Sequence, residues 1–176
     1  MFATIYLPEF ALQAAMRHEV SSPSIPIALI DDQDKKAVII QLNRAARIAG
    51  VNAGMAPSQG LGRCLSLVIK TRSPAKENAL ANMILQYAFT LSPYVEATAP
   101  GLWTIQFTDD RDLTTKVLRV IQRLAECEVI AQAGIASEPD TSFLAAHLAQ
   151  PVLQIDNAKE FLAPLSIDTL AILLPA

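Results

Sequence analysis

Apolar positions along the chain follow two rhythms. Short runs rich in aliphatic and β-branched residues read as strands: Phe2 to Leu7, Pro26 to Ile30, Ala37 to Leu42, Leu65 to Lys70, Val95 to Thr98, Leu102 to Phe107, Glu128 to Ile135 and Val152 to Ile155. Between them, apolar residues recur at helical spacing. The clearest case is Ala75 to Leu91, where Leu80, Met83, Ile84, Tyr87, Ala88 and Leu91 share one face. Asp110 to Glu126 repeats the pattern with Leu113, Val117, Val120, Ile121 and Leu124. Shorter helices fit Glu9 to His18, Arg44 to Ala49, Pro57 to Cys64, a segment ending at Ala149, and Ala158 to Leu162.

Punctuating residues sharpen these boundaries. Asn43 is placed to cap the helix that starts at Arg44, and Gly50 to stop it. Val51-Asn52-Ala53-Gly54 reads as a turn, and Ala99-Pro100-Gly101 as a hairpin tip. Ser137-Glu138-Pro139-Asp140 has the form of a capping box with proline at the first helical position. No repeat or low-complexity linker interrupts the pattern. The fold class this predicts is α+β.

At 176 residues, 52% of them hydrophobic, the chain can build the core of one domain or of two small interleaved ones. With mean hydropathy at +0.32 and only 18% of residues charged, a further domain or partner is expected to cover part of its surface. The longest uncharged stretch, Asn78 to Val95, is broken by Asn82, Gln86, Ser92 and Pro93, so no membrane span is expected. The start has no basic segment or cleavage site of a leader, which predicts a cytoplasmic protein. Cys64 and Cys127 lack paired ligand spacing and read as reduced, buried thiols.

Net charge is −3, yet its distribution is uneven. Lys35, Lys36, Arg44, Arg47, Arg63, Lys70, Arg72 and Lys76 are eight of the fourteen basic residues, and no acidic residue falls between the first and the last. Such a face can track phosphates on an acidic protein; it can equally be a solvated surface.

Candidate chemistry is sparse. Asp31-Asp32-Gln33-Asp34 suits a solvated turn, and Asp109-Asp110-Arg111-Asp112 suits a helix start favoured by the dipole. His18 and His147 each stand alone at a helix end, as dipole or surface residues. Cys64 has no adjacent base, and there is no glycine-rich phosphate loop. Composition and motif together predict no enzyme, no cofactor and no metal site.

The order of elements carries a resemblance. Asn43-Arg44-Ala45-Ala46-Arg47-Ile48-Ala49-Gly50-Val51-Asn52-Ala53-Gly54-Met55 resembles the fingers motif of Y-family (translesion) DNA polymerases. Leu91-Ser92-Pro93-Tyr94-Val95-Glu96 before the hairpin, and Gly134-Ile135-Ala136 to Ala149-Gln150-Pro151, resemble further family segments in the same order. The resemblance implies a ferredoxin-like palm at 1–11 and 74–163, an inserted fingers subdomain at 12–73, and the start of a thumb, or a tail, at 164–176. That tail holds Leu170, Ile172, Leu173 and Leu174, expected to pack under a following domain, fold back or self-associate.

The departures from the family are specific. Its first metal-binding aspartate falls on Leu7, with Glu9 at the second acidic position, and its hairpin carboxylates fall on Gly101 and Leu102. The steric-gate aromatic falls near Leu12. In the fingers, Arg47 keeps the phosphate-contacting arginine, while Arg44 and Gln41 replace a tyrosine and a threonine; Phe143 replaces a lysine. A hard divalent cation needs oxygen ligands, which an isobutyl group cannot supply. This pattern is similar to the catalytically inactive ImuB branch, as are Ile5-Tyr6-Leu7-Pro8-Glu9-Phe10-Ala11-Leu12-Gln13-Ala14 and the Thr98-Ala99-Pro100-Gly101 hairpin.

The resemblance thus implies a non-catalytic adaptor in DNA-damage repair and induced mutagenesis. Its partners would be an error-prone replicative-type polymerase, a RecA-like accessory protein and the sliding clamp. It would bind DNA weakly through phosphate contacts from Arg44, Arg47, Arg63, Lys70, Arg72 and Lys76. Two alternatives stand beside it. One is an active nucleotidyltransferase using Glu9, Glu96 and Asp109 as substitute ligands, although Glu96 lies roughly 17 Å along a strand from Gly101. The other is a domain that binds only protein.

Overall fold

The computed structural model describes residues 1–19, 22, 24–31, 37–109, 111–166 and 169, and they form two compact units. The first comprises Met1–Pro8 and Ala81–Ala176, the second Glu9–Leu80.

The first unit is built on a five-stranded sheet in the order β5-β6-β1-β7-β8. Its strands are β1 (Phe2–Tyr6), β5 (Tyr94–Ala99), β6 (Leu102–Gln106), β7 (Gln132–Ala136) and β8 (Val152–Gln154). β1 lies at the centre, antiparallel to both β6 and β7, whereas β7 and β8 run parallel through the crossover helix α6 (Pro139–Leu148). A central strand covered on two sides should be apolar throughout, and Ala3, Thr4 and Ile5 are all fully buried. Thr4, the polar member, meets α6: its Oγ1 donates to Ser142 Oγ at 2.8 Å, and Ser142 Oγ donates to the Pro139 carbonyl at 2.7 Å. Gly134, paired with Thr4, permits the close approach of α6. A Cβ there would lie 2.2 Å from the Ser142 carbonyl oxygen and 2.3 Å from the Ala146 nitrogen. α5 (Leu113–Glu126) packs on β7 and β8 and buries Leu113, Val117, Val120, Ile121 and Leu124, the stripe its periodicity predicts. α7 (Ala158–Leu162) follows β8 and is capped by Asn157.

Among the boundaries that differ from expectation, three have a local cause. The strand read from Glu128 forms only at Gln132–Ala136, because Glu128 turns at φ +60° and the Val129 N–H closes the end of α5 on Leu124. α5 opens at Leu113, since Asp112 sits at φ +56°. The capping box at Ser137 does not form. Pro139 takes the first helical position, making Glu138 the cap, and the Glu138 side chain makes no capping bond.

The second unit holds a three-stranded sheet ordered β3-β2-β4, with β2 (Ile27–Asp31) antiparallel to β3 (Val38–Leu42) and parallel to β4 (Val68–Thr71). Around it lie α1 (Phe10–Met16), α2 (Arg44–Ile48), α3 (Pro57–Arg63) and the first turns of α4 (Pro74–Phe89), which continues past the division at Leu80. One core joins Ala28, Ile39, Leu42, Ala46, Val51, Cys64 and Leu67; a second joins Ala11, Leu12, Ala15, Ile27 and Leu29. Both cysteines are free thiols, Cys64 buried and Cys127 half-buried.

Among the described residues no helix is long and apolar enough to cross a membrane. Asp31, expected in the acidic turn Asp31-Asp32-Gln33-Asp34, instead ends β2. The rest of that turn, the basic residues Lys35 and Lys36, the helix start at Asp110 and the tail residues Leu170, Ile172, Leu173 and Leu174 lie outside the described residues.

Candidate nucleic-acid interface

The short helix α2 is held in place chiefly by Asn43. Its Oδ1 accepts from the Ala46 N–H as an N-cap and from the Ile27 N–H, each at 3.0 Å, while Nδ2 donates to the Ile25 carbonyl at 2.7 Å. Gly50, at φ +82°, ends the helix in the left-handed conformation expected. Arg44 and Arg47 therefore project from a helix fixed at both ends, and both are exposed. Arg63, in the last turn of α3, lies beside Gly50: a Cβ on that glycine would be 3.9 Å from the arginine Nη1.

The fold pairs four of the six described basic residues of this segment with carboxylates. Arg47 pairs with Glu9, and Lys70 pairs with Glu19 at 2.6 Å. Lys76 donates to the Ala15 carbonyl at 2.8 Å and lies 3.9 Å from Glu19. Arg72 forks onto Glu77 at 2.7 and 3.0 Å and reaches Asp31 at 3.1 Å. These bonds hold the Arg72 guanidinium protonated far beyond its ordinary range, and the Lys70 hydrogen bond holds the Glu19 carboxyl below its own. Every one of these carboxylates comes from outside the acid-free stretch. The parallel register that sets Ile30 beside Thr71 delivers Asp31 to Arg72, a pairing invisible in linear order. Of the six candidate phosphate ligands, only Arg44 and Arg63 form no ion pair among the described residues, and both are exposed.

The end of β1 has a different character. The Leu7 side chain is buried, and its N–H donates to the carbonyl of Gly101 at 2.8 Å. Gly101 turns the β5–β6 hairpin at φ +83°, and Leu102 beside it is buried. Leu7, Gly101 and Leu102 present no side-chain oxygen. Of the proposed substitutes, Glu96 faces Thr104 across the hairpin and lines a shallow cavity of about 250 Å³ with Phe2, Tyr94 and Gln106. Asp109 is clasped by Arg111, which pulls its carboxyl down to about 2. Glu9 is engaged by Arg47. Among the described residues, no three histidines, cysteines, aspartates or glutamates form a group that could hold a metal ion. The donor set does not fit the magnesium pair that the resemblance implies.

Other family positions found structural work. The Gln41 side-chain carbonyl accepts from the Leu12 N–H at 2.8 Å, tying β3 to α1. His147, expected at the surface of a helix end, is half-buried. Its ring stacks on Tyr6 at 3.9 Å between centroids, tilts against Phe143, and donates from Nδ1 to the Phe143 carbonyl at 3.0 Å. The reason is that α6 lies on β1, so this face of its last turn meets the strand. Burial pushes the imidazole below its ordinary value.

The impB/mucB/samB family matches residues 5–147. No curated protein matches the sequence. Among solved structures, an insertion ternary complex of Dbh DNA polymerase superposes with a TM-score of 0.83 at 16% identity, covering 96% of this chain and 53% of the other. A post-insertion binary complex of the same polymerase gives 0.85 at 17% identity over 96% of this chain and 52% of the other. DinB from Sulfolobus solfataricus gives 0.82 at 16%, with 96% and 52% covered. The chain thus has the palm and fingers fold of Y-family DNA polymerases and spans about half the length of those it matches. These matches overturn the expectation of a non-enzyme: the family and its structural relatives are DNA polymerases, and Leu7, Gly101 and Leu102 do not suffice to set the chain apart from them.

Proposed function

The chain belongs to the impB/mucB/samB family, and from that membership we propose that it works in DNA damage tolerance, handling primer–template DNA in translesion synthesis. The observation that carries the reading is the Asn43-capped helix α2. It stands in the segment that resembles the family's fingers motif and presents Arg44 to solvent, with Arg63 exposed on α3.

The contacts proposed are to phosphate, without base readout: Arg44 and Arg63 lead, with Arg47, Lys70 and Lys76 available when their carboxylate partners yield. Arg72, held by two acids, serves the fold. Such binding is weak and falls with salt, by a log–log slope of about 0.7 to 0.9 per phosphate neutralised. Fluorescence anisotropy on primer–template DNA at two salt concentrations tests this. Arg44→Glu/Arg63→Glu should abolish binding; equal binding by variant and wild type would refute a fingers contact. For the cellular role, loss of the protein should lower survival or induced mutation after DNA damage.

A second reading is supported by the opening segment and by Thr98-Ala99-Pro100-Gly101, both similar to the ImuB branch. On it, the chain also acts as an adaptor that gathers an error-prone replicative-type polymerase, a RecA-like accessory protein and the sliding clamp. Pull-down of those proteins by the full-length protein is the check, and failure to retain any of them would sink it.

A further inference from the structure

Two carboxylates account for three of the cations in the second unit. Glu9 precedes α1 and holds Arg47; Glu19 follows α1 and lies against both Lys70 and Lys76. A seven-residue helix thus carries one acid at each end, and both acids turn onto the basic stretch. The pairs are accessible. Side-chain exposure is 54% for Arg47 and 29% for Glu9, 32% for Lys70 and 37% for Glu19. Exposed pairs of this kind exchange partners at little cost. The Arg72 cluster differs, because Glu77 is buried beneath it.

We infer that α1 is an electrostatic cover: Glu9 and Glu19 hold Arg47, Lys70 and Lys76 away from nucleic-acid phosphate, leaving Arg44 and Arg63 as the standing contacts. A cation already paired offers a phosphate no net charge, so it displaces no counterion from DNA. Grip strengthens when phosphate replaces carboxylate on the three covered cations. This inference rests on the phosphate-contact reading and adds its control.

The test is anisotropy of a fluorescein-labelled single-stranded DNA 20-mer, titrated with the full chain over a series of salt concentrations. Contacts from Arg44 and Arg63 give the wild type a log–log slope of about −1.4, at about 0.7 per contact on single strands. Glu9→Gln/Glu19→Gln should steepen it to about −3.5 and raise affinity roughly tenfold or more near 0.1 M salt. Glu126→Gln/Glu160→Gln removes the same formal charge from exposed positions of the first unit and should match the wild type. Glu19→Gln alone, at an exposed position, frees two lysines and gives an intermediate slope, so the idea stays testable if the double variant folds poorly.

One slope shared by the wild type and all the glutamine variants, with binding still lost in Arg44→Glu/Arg63→Glu, overturns the cover and leaves the contact reading intact. Equal steepening in the charge-matched control overturns the cover as a net-charge effect. Absence of binding in every variant overturns cover and contact together.

Discussion

The His147 ring stacks on Tyr6 with centroids 3.9 Å apart, fastening the last turn of α6 to the end of the central strand. Burial lowers the imidazole pKa, so the folded chain binds its proton less readily than the unfolded chain. Where that holds, stability rises with pH. Its contribution is complete above the ordinary histidine value of about 6.5 and declines as pH falls from there toward the depressed folded value. Thermal melts between pH 7 and 5 should show a decline that His147→Phe flattens, the ring contact being kept while the proton site is lost.

Gly134 and Gly62 should respond oppositely to alanine. At Gly134 the new Cβ would meet backbone at 2.2 Å, and α6 has no flexible side chain there to give way. Gly134→Ala is expected to cost about 3 kcal/mol through overpacking. At Gly62, inside α3, nothing lies within 4 Å of the new atom. Gly62→Ala should gain about 0.5–1 kcal/mol by restricting the unfolded chain. Urea denaturation of the pair measures both.

Asn43 should be dearer than an ordinary cap. Beyond the capping bond to Ala46, it joins α2 to β2 through Ile27 and to Ile25. Asn43→Ala is expected to cost about 2 kcal/mol against about 1 for a simple cap. Asn43→Asp keeps the accepting oxygen and loses the donation, and should fall between them in the same denaturation series.

Arg72 should separate fold from binding. Arg72→Ala strips the nearly buried Glu77 of two charge-assisted bonds. The arginine itself is 39% exposed, so the full cost of a broken buried pair is discounted to about 2 kcal/mol. Chemical denaturation should register that loss while the salt slope of DNA binding stays at its wild-type value. A change in slope without a change in stability would return Arg72 to the phosphate contacts.

The sequence made the elements legible where local chemistry decides them. The stripe on α5, the Asn43 cap, the Gly50 stop and the Gly101 hairpin all follow from residues within a few positions of one another. The Ser137 box failed because proline at the first helical position moved the cap to Glu138. The charge pattern was misleading for a non-local reason. An acid-free stretch looked like an open basic face, yet Asp31 arrives through a parallel strand pairing and Glu9 and Glu19 flank a separate helix. His147 was misplaced likewise, since a helix-end position says nothing about which side of the helix meets a sheet.

The central place of β1 has a consequence for synthesis on the ribosome. This strand leaves first, but β6 begins only at Leu102 and β7 at Gln132. At about 5–20 residues per second, translation leaves its apolar face without a ladder for several seconds. The Glu9–Leu80 unit meets no such delay, since it is continuous in sequence and complete well before β6 is made. The inserted unit can therefore condense first, and the sheet closes only after most of the chain has emerged.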